Sequence, residues 1–226
     1  MNLTTILAKS ESVGINDQRF VGQVLSRNLR LNTSEVLTVV PFQFTMKPMN
    51  YLLYSQNRDL LATLRYYDKA LEQYLNFGST GWENYIAYQG DMTDGQISAC
   101  QWQTSSANKT LVLGNLPSIS ASAYIVKQGD FCQVGRYAYI ATESVLRGSG
   151  STVSIPVHRN LISTLVSPVN AVIGEFGTTI SMGGDTYTGV TFPVVLREYP
   201  TYNLVPITND SFIAWSGQFV AYESVL

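Results

Sequence analysis

Charge is what this sequence has least of. Asp, Glu, Lys and Arg make up 13% of its 226 residues, about half of the roughly 25% usual in a soluble domain. The 14 basic and 16 acidic residues leave a net charge of −2. No basic run or stripe is present, so the electrostatic footprint that phosphate-backbone binding requires is missing and no nucleic-acid contact is expected. Histidine occurs once, as His158. That excludes any two-His metal site, and a lone His without an evident partner reads as structural. The two cysteines, Cys100 and Cys132, are far apart and outside metal-ligand spacing. They read as buried free thiols, with a single disulfide as the alternative. No Gly-x-Ser-x-Gly, Walker A or Gly-x-Gly-x-x-Gly sequence seats a nucleophile or a nucleotide. No apolar run reaches the roughly 20 residues of a membrane span. The first nine residues lack a charged leader with an apolar core, so no secretory signal is read and a soluble cytoplasmic product is expected.

Carboxylate chemistry needs only two acids. Asp91 with Asp94, or Glu143 beside Arg147, are the pairs at hand, but no spacing singles one out, and no Ca²⁺ loop is seen. The expectation is a protein without catalytic residues, metal or cofactor.

What replaces charge is Thr, Ser, Asn, Gln and 14 Tyr. Such a surface is neutral, hydrogen-bonding and rich in amphipathic rings, as protein interfaces are. Residues 1–18 read as a polar, irregular arm. From Arg19 to Met46 the reading is extended, with Phe42, Phe44 and Met46 at every second position and Pro41 marking an edge, a bulge or a break. Residues 55–77 carry the one helical pattern: Leu60, Leu64, Tyr67, Leu71 and Tyr74 recur at three and four, Ser55 or Asn57 can cap, and Gly78 stops it. Arg58, Asp59, Arg65, Asp68, Lys69 and Glu72 form its wet face.

Beyond Gly78 the pattern is that of strands: residues 85–88, residues 97–103, then a polar turn at 104–108. Residues 111–160 read as a small inserted β-module, with strands at 124–126, 131–134, 137–141 and 152–157 joined by hairpin-type turns. Tyr137 and Tyr139 share one strand face beside the Gly135-Arg136 turn. With Arg136 they are the candidate interaction surface, or else they are core residues of the module. The chain closes in hairpins: 178–182 and 187–198 around Gly183-Gly184-Asp185, then 201–206 and 212–226 around residues 207–210. The fold class expected is α+β, mainly β. A split β-sandwich or barrel domain (1–110 plus 161–226) would close its sheet from both chain ends, with one amphipathic helix and 111–160 inserted as a small barrel-like module.

Two stretches carry a resemblance. One runs from Lys127 through Gly129-Asp130-Phe131 and Tyr137-Ala138-Tyr139 to Ala141, followed by Thr152 to His158. The other is Thr191 to Pro200 with Trp215 to Leu226. The 127–158 stretch resembles a small β-module of tailed-bacteriophage tail proteins. The 191–226 stretch is similar to the closing hairpin of phage tail and baseplate components, especially those of contractile-tailed cyanophages. The layout resembles that of the distal tail protein family, a split β-domain with one helix and a small attached β-domain. The resemblance implies a virion protein, assembled in the host cytoplasm into a homo-oligomeric ring, commonly a hexamer. That ring joins the tail tube to baseplate hub, wedge or fibre proteins. Charge-poor, Tyr-rich composition suits the repeated interfaces a ring requires. A carbohydrate- or receptor-binding β-module of a tail appendage, and another tail-tube-end or wedge component, are the alternatives.

Overall fold

The computed structural model describes residues 3–17, 21–25, 31–35, 40–66, 71–78, 80–103, 109–162 and 168–225. The fold is α+β and mainly β. Its principal sheet has five antiparallel strands in the order Ser10–Asn16, Gln43–Pro48, Phe219–Glu223, Thr191–Glu198, Gln73–Asn76. Strands from the two chain ends therefore interleave, as the closing of one sheet from both ends requires. Phe42, Phe44 and Met46 are fully buried, as are Val190, Phe192 and Val194, with Leu196 nearly so. Period-two alternation carries them to one face. Phe192 meets Phe42, Phe44, Phe77 and Phe131 at centroid distances of 4.8–6.0 Å, the tilted and edge-on geometry that aromatic rings favour. Pro41 precedes the Gln43–Pro48 strand, which is interior to the sheet, so the proline marks a break.

Two expectations fail in this part of the chain. Residues 3–17 are no arm: Leu3–Ala8 is a helix with Leu3, Ile6 and Leu7 buried, and Ser10–Asn16 is an edge strand. The apolar residues at i, i+3 and i+4 are the signal that polar neighbours obscured. The next helix spans Tyr54–Tyr66, not 55–77. Leu60, Leu61 and Leu64 pack as the periodicity requires, but Gln73–Asn76 is a strand paired with Thr191–Val194. Pairing to a buried strand outweighs a helical propensity that differs between ordinary residues by roughly tenths of a kcal/mol. Tyr67, the 104–108 turn and the 36–39 part of the first extended run lie outside the described residues.

A second core joins Met92, Ile97, Cys100, Trp102, Leu111, Leu113, Ile125, Cys132, Tyr137, Tyr139, Ile155 and Ile173, among others. It draws on residues on both sides of 111–160. Gln101–Gln103 and Val169–Asn170 complete one of its sheets, and Val172–Ile173 and Phe176–Gly177 the other. The strands at 124–126, 131–134, 137–140 and 153–156 form where the alternation puts them. Residues 97–103 divide differently: Asp94–Ala99 is a helix opened by a reciprocal Thr93–Gln96 capping box, and only Gln101–Gln103 is a strand. Glu83–Tyr85 is a 3₁₀ turn, where a strand was expected to begin at 85.

The sheet built on Phe131–Val134 and Tyr137–Ile140 has both faces buried and serves both cores. Phe131, Ala138 and Val172 face the principal core, while Cys132, Val134, Tyr137, Tyr139 and Ile173 face the second. Gln133 points toward the principal sheet as well. Its amide donates to Thr191 O at 2.8 Å and accepts from Thr191 N at 2.7 Å, continuing a backbone ladder with a side chain.

Candidate interaction surface

The residues singled out from the sequence do not form an exposed platform. Tyr137 is 3% and Tyr139 1% exposed. Their shared strand face is the inside of the second core, so of the two readings burial supports the core. The Tyr139 hydroxyl accepts from Ile162 N at 3.0 Å. Arg136, on the turn, is held by an ion pair to Glu72.

His158 is likewise structural in its contacts. Its ring lies 5.2 Å from Phe42, and Nδ1 accepts from Ile140 N at 3.0 Å. Two of the carboxylates considered for catalysis bind backbone amides. Asp91 accepts from Tyr124 N at 2.7 Å and Asp94 from Gly177 N at 2.8 Å. Arg147 donates to the carbonyls of Pro117, Gly148 and Gly150. Asp130, 1% exposed, accepts from Gln89 N and Lys127 N. Burial holds its carboxyl above the usual value, against the pull of those two N–H groups. Cys100 and Cys132 are free and buried, and burial pushes Cys100 up to about 11 and raises Cys132 as well. Among the described residues no three His, Cys, Asp or Glu side chains are grouped to hold a metal, and no helix is long and apolar enough to cross a membrane.

What stands out of the fold is a hairpin. Thr201–Ile207 pairs with Asp210–Ser216 through seven consecutive residue pairs, and Asn209 takes a left-handed φ of 65° at the tip, a conformation asparagine tolerates. Asp210–Ser216 also pairs with Leu52–Leu53. Thr201–Ile207 is thus an edge strand, and all seven of its residues are exposed. Tyr202, Leu204, Val205 and Ile207 are 37–48% accessible.

Strand pairing sorts its side chains. Leu204, Ile213 and Leu52 lie on the face turned inward by the buried Ile213, with Tyr202 against Trp215 at 5.4 Å. Val205, Phe212 and Leu53 line up on the outer face, joined by Ile207. Tyr51, 76% exposed, stacks edge-on against Phe212 at 5.7 Å. Natural edge strands are protected by charge, proline, bulges or cover, and Pro206 is one such device here. The strand bears no charged side chain. A hairpin strand at 201–206 is legible in the sequence, but its exposure is not, because only the tertiary arrangement leaves the strand at an edge.

Another feature is polar. A cleft of about 600 Å³ lies between the Gln73–Asn76 strand and the Ile180–Met182/Asp185–Tyr187 hairpin, lined by Glu72, Gln73, Tyr74, Gly183, Asp185, Thr186 and Tyr187. The Tyr74 and Tyr187 rings are 5.8 Å apart. Tyr74 donates to Glu72 Oε2 at 3.1 Å, while Glu72 Oε1 takes Arg136. No protein-family model and no curated protein matches this chain.

Proposed function

We propose that this chain is a structural subunit of a phage tail tip or baseplate, forming a ring that joins the tail tube to hub, wedge or fibre proteins. The observation that carries the assembly role is the 201–207 edge strand. It is seven residues long, bears no charged side chain, turns Val205 and Ile207 outward beside Thr201 and Asn203, and among the described residues is paired along one edge only. Sheet edges of that kind pair with another chain's strand, and the outer row of Val205, Phe212 and Leu53 supplies apolar area to bury in the same contact. A heterologous contact of this type closes into a ring when its rotation divides a full turn. The virion setting rests on the resemblance of the 127–158 and 191–226 stretches to tail proteins, and the charge-poor composition fits the repeated interfaces such a ring needs.

Light scattering on the eluting protein tests the reading. The expected species is a closed oligomer of 25.0 kDa subunits. Val205→Lys with Ile207→Lys should return it to monomers while leaving unfolding within about 0.5 kcal/mol, as surface substitutions do. A wild-type chain that stays monomeric at every concentration would sink the self-assembling ring.

A further inference from the structure

The polar cleft beside Tyr74 is a surface separate from the 201–216 hairpin, and its walls repeat one pattern. Each carries an acid followed two residues later by a tyrosine: Glu72 and Tyr74 on one side, Asp185 and Tyr187 on the other. Tyr74 bonds the acid of its own wall through its hydroxyl, and Tyr187 lies beside the negative charge of Asp185. Burial first, then the neighbouring carboxylate, raises each phenol above its ordinary value, so both remain protonated donors at neutral pH. Glu72 is fixed at its other oxygen by Arg136. The walls are pressed together at Gly183, where φ is +60° and a Cβ would come within 2.2 Å of the Tyr74 ring. Only glycine permits that approach. The turn at Gly183 therefore sits on the tyrosine and holds the cleft's shape.

These groups share one kind of ligand chemistry. A carboxylate accepts several hydrogen bonds, and two carboxylates facing one space suit a ligand rich in hydroxyl donors. Tyrosine rings offer apolar faces to the C–H side of a pyranose ring. Arg136 neutralises Glu72, so Asp185 is the carboxylate in the cleft without an ion pair to a described cation. It disfavours an anionic ligand. The volume lies within the ~300–1,000 Å³ range of small-ligand sites. We propose that this cleft binds a neutral saccharide, with hydroxyls on Glu72 and Asp185 and a sugar face on Tyr187. The site does not depend on assembly of the chain into a ring.

The test is calorimetry, with saturation-transfer NMR, on the full chain against neutral tetrasaccharides of glucose, galactose, mannose and N-acetylglucosamine. At least one should bind saturably. Asp185→Asn and Tyr187→Ala should each weaken it by about tenfold or more, roughly 1.4 kcal/mol, and Ile207→Ser on the 201–216 hairpin should leave it unchanged. Asp185 is exposed, so Asp185→Asn keeps the test valid should Tyr187→Ala fail to fold. Failure of every member of the panel, or binding that survives both substitutions, overturns the site. Saturation by Ca²⁺ or tetralysine in place of the sugars overturns it too, assigning the cleft to cations.

Discussion

Arg159 and Glu223 are 1% and 4% exposed, and the first is the largest buried side chain after Trp102. Their burial is tolerable because almost every bonding group is met. Arg159 reaches both carboxylate oxygens of Glu223, Val40 O at 2.8 Å and Ala138 O at 2.6 Å, and its guanidinium stacks on Phe42 and Tyr139 at 4.7 and 5.2 Å. Phe42 N donates to Glu223 Oε2 at 3.1 Å. The pair ties the Tyr137–Ile140 strand, the principal sheet and the last strand together. Removing one partner leaves an unpaired charge in low dielectric. Glu223→Ala should therefore cost about 3–5 kcal/mol. The double change Arg159→Met with Glu223→Leu should cost less than Glu223→Ala alone, since replacing both charges removes the desolvation penalty. Urea midpoints of the two variants decide this. Equal losses would mean that the hydrogen bonds to Val40 and Ala138, not the charge, hold the junction.

The 201–216 hairpin is anchored at its tip as well as at its base. Asp210 accepts from the Ser55 hydroxyl at 2.6 Å and from the amides of Ser55 and Ser211. The tip is thereby fastened to the start of the Tyr54–Tyr66 helix. The Ser55 hydrogen bond, and then Ser211 N, holds the Asp210 carboxyl below its usual value. A depressed folded-state value means the clasp is complete above the unfolded pKa of about 4 and is lost as pH falls through the lower, folded one. Amide shifts of Ser55 and Ser211 should titrate together with a midpoint below about 4, and Asp210→Asn should abolish that titration. A midpoint at the ordinary aspartate value would show that the tip is not clasped in solution. The helix itself illustrates the limits of local pattern: periodicity placed its first three turns, while the Thr191–Val194 strand claimed residues 73–76.

Across the whole molecule, the two cores share one sheet. Phe131 packs on Phe42 and Phe192 at 6.0 and 5.8 Å, while Cys132 next to it belongs to the other core. Separating the two units would expose Phe131, Ala138 and Val172 and leave Arg159 and Gln133 without their partners. Thermal unfolding should accordingly be one cooperative transition, with calorimetric and van't Hoff enthalpies equal. Phe131→Ala should cost about 3–5 kcal/mol and lower that single transition as a unit. Two resolved transitions would show that the junction is weaker than its contacts.

By itself, the sequence determined what depended on composition and short-range alternation. The mainly β class, the burial of Phe42, Phe44, Phe192 and Val194, the 131–140 hairpin and the closing of one sheet from both chain ends were legible, because a period of two is local and strong. The Thr93–Gln96 capping box is a readable helix start, but the strand-like residues that follow it mask the short helix. Tertiary structure alone decided which faces are wet. Tyr137 and Tyr139 share a strand face that the sequence left open to a core or an exposed surface, and the second core covers them. Residues 201–206 read as one strand of a hairpin, and only the fold leaves that strand exposed at an edge. The acid-x-tyrosine pairs at 72–74 and 185–187 are over a hundred residues apart, and only the approach of their strands at Gly183 makes them one cleft. Alternation states that a strand has two faces. What lies against each face is set by contacts between segments distant in the chain.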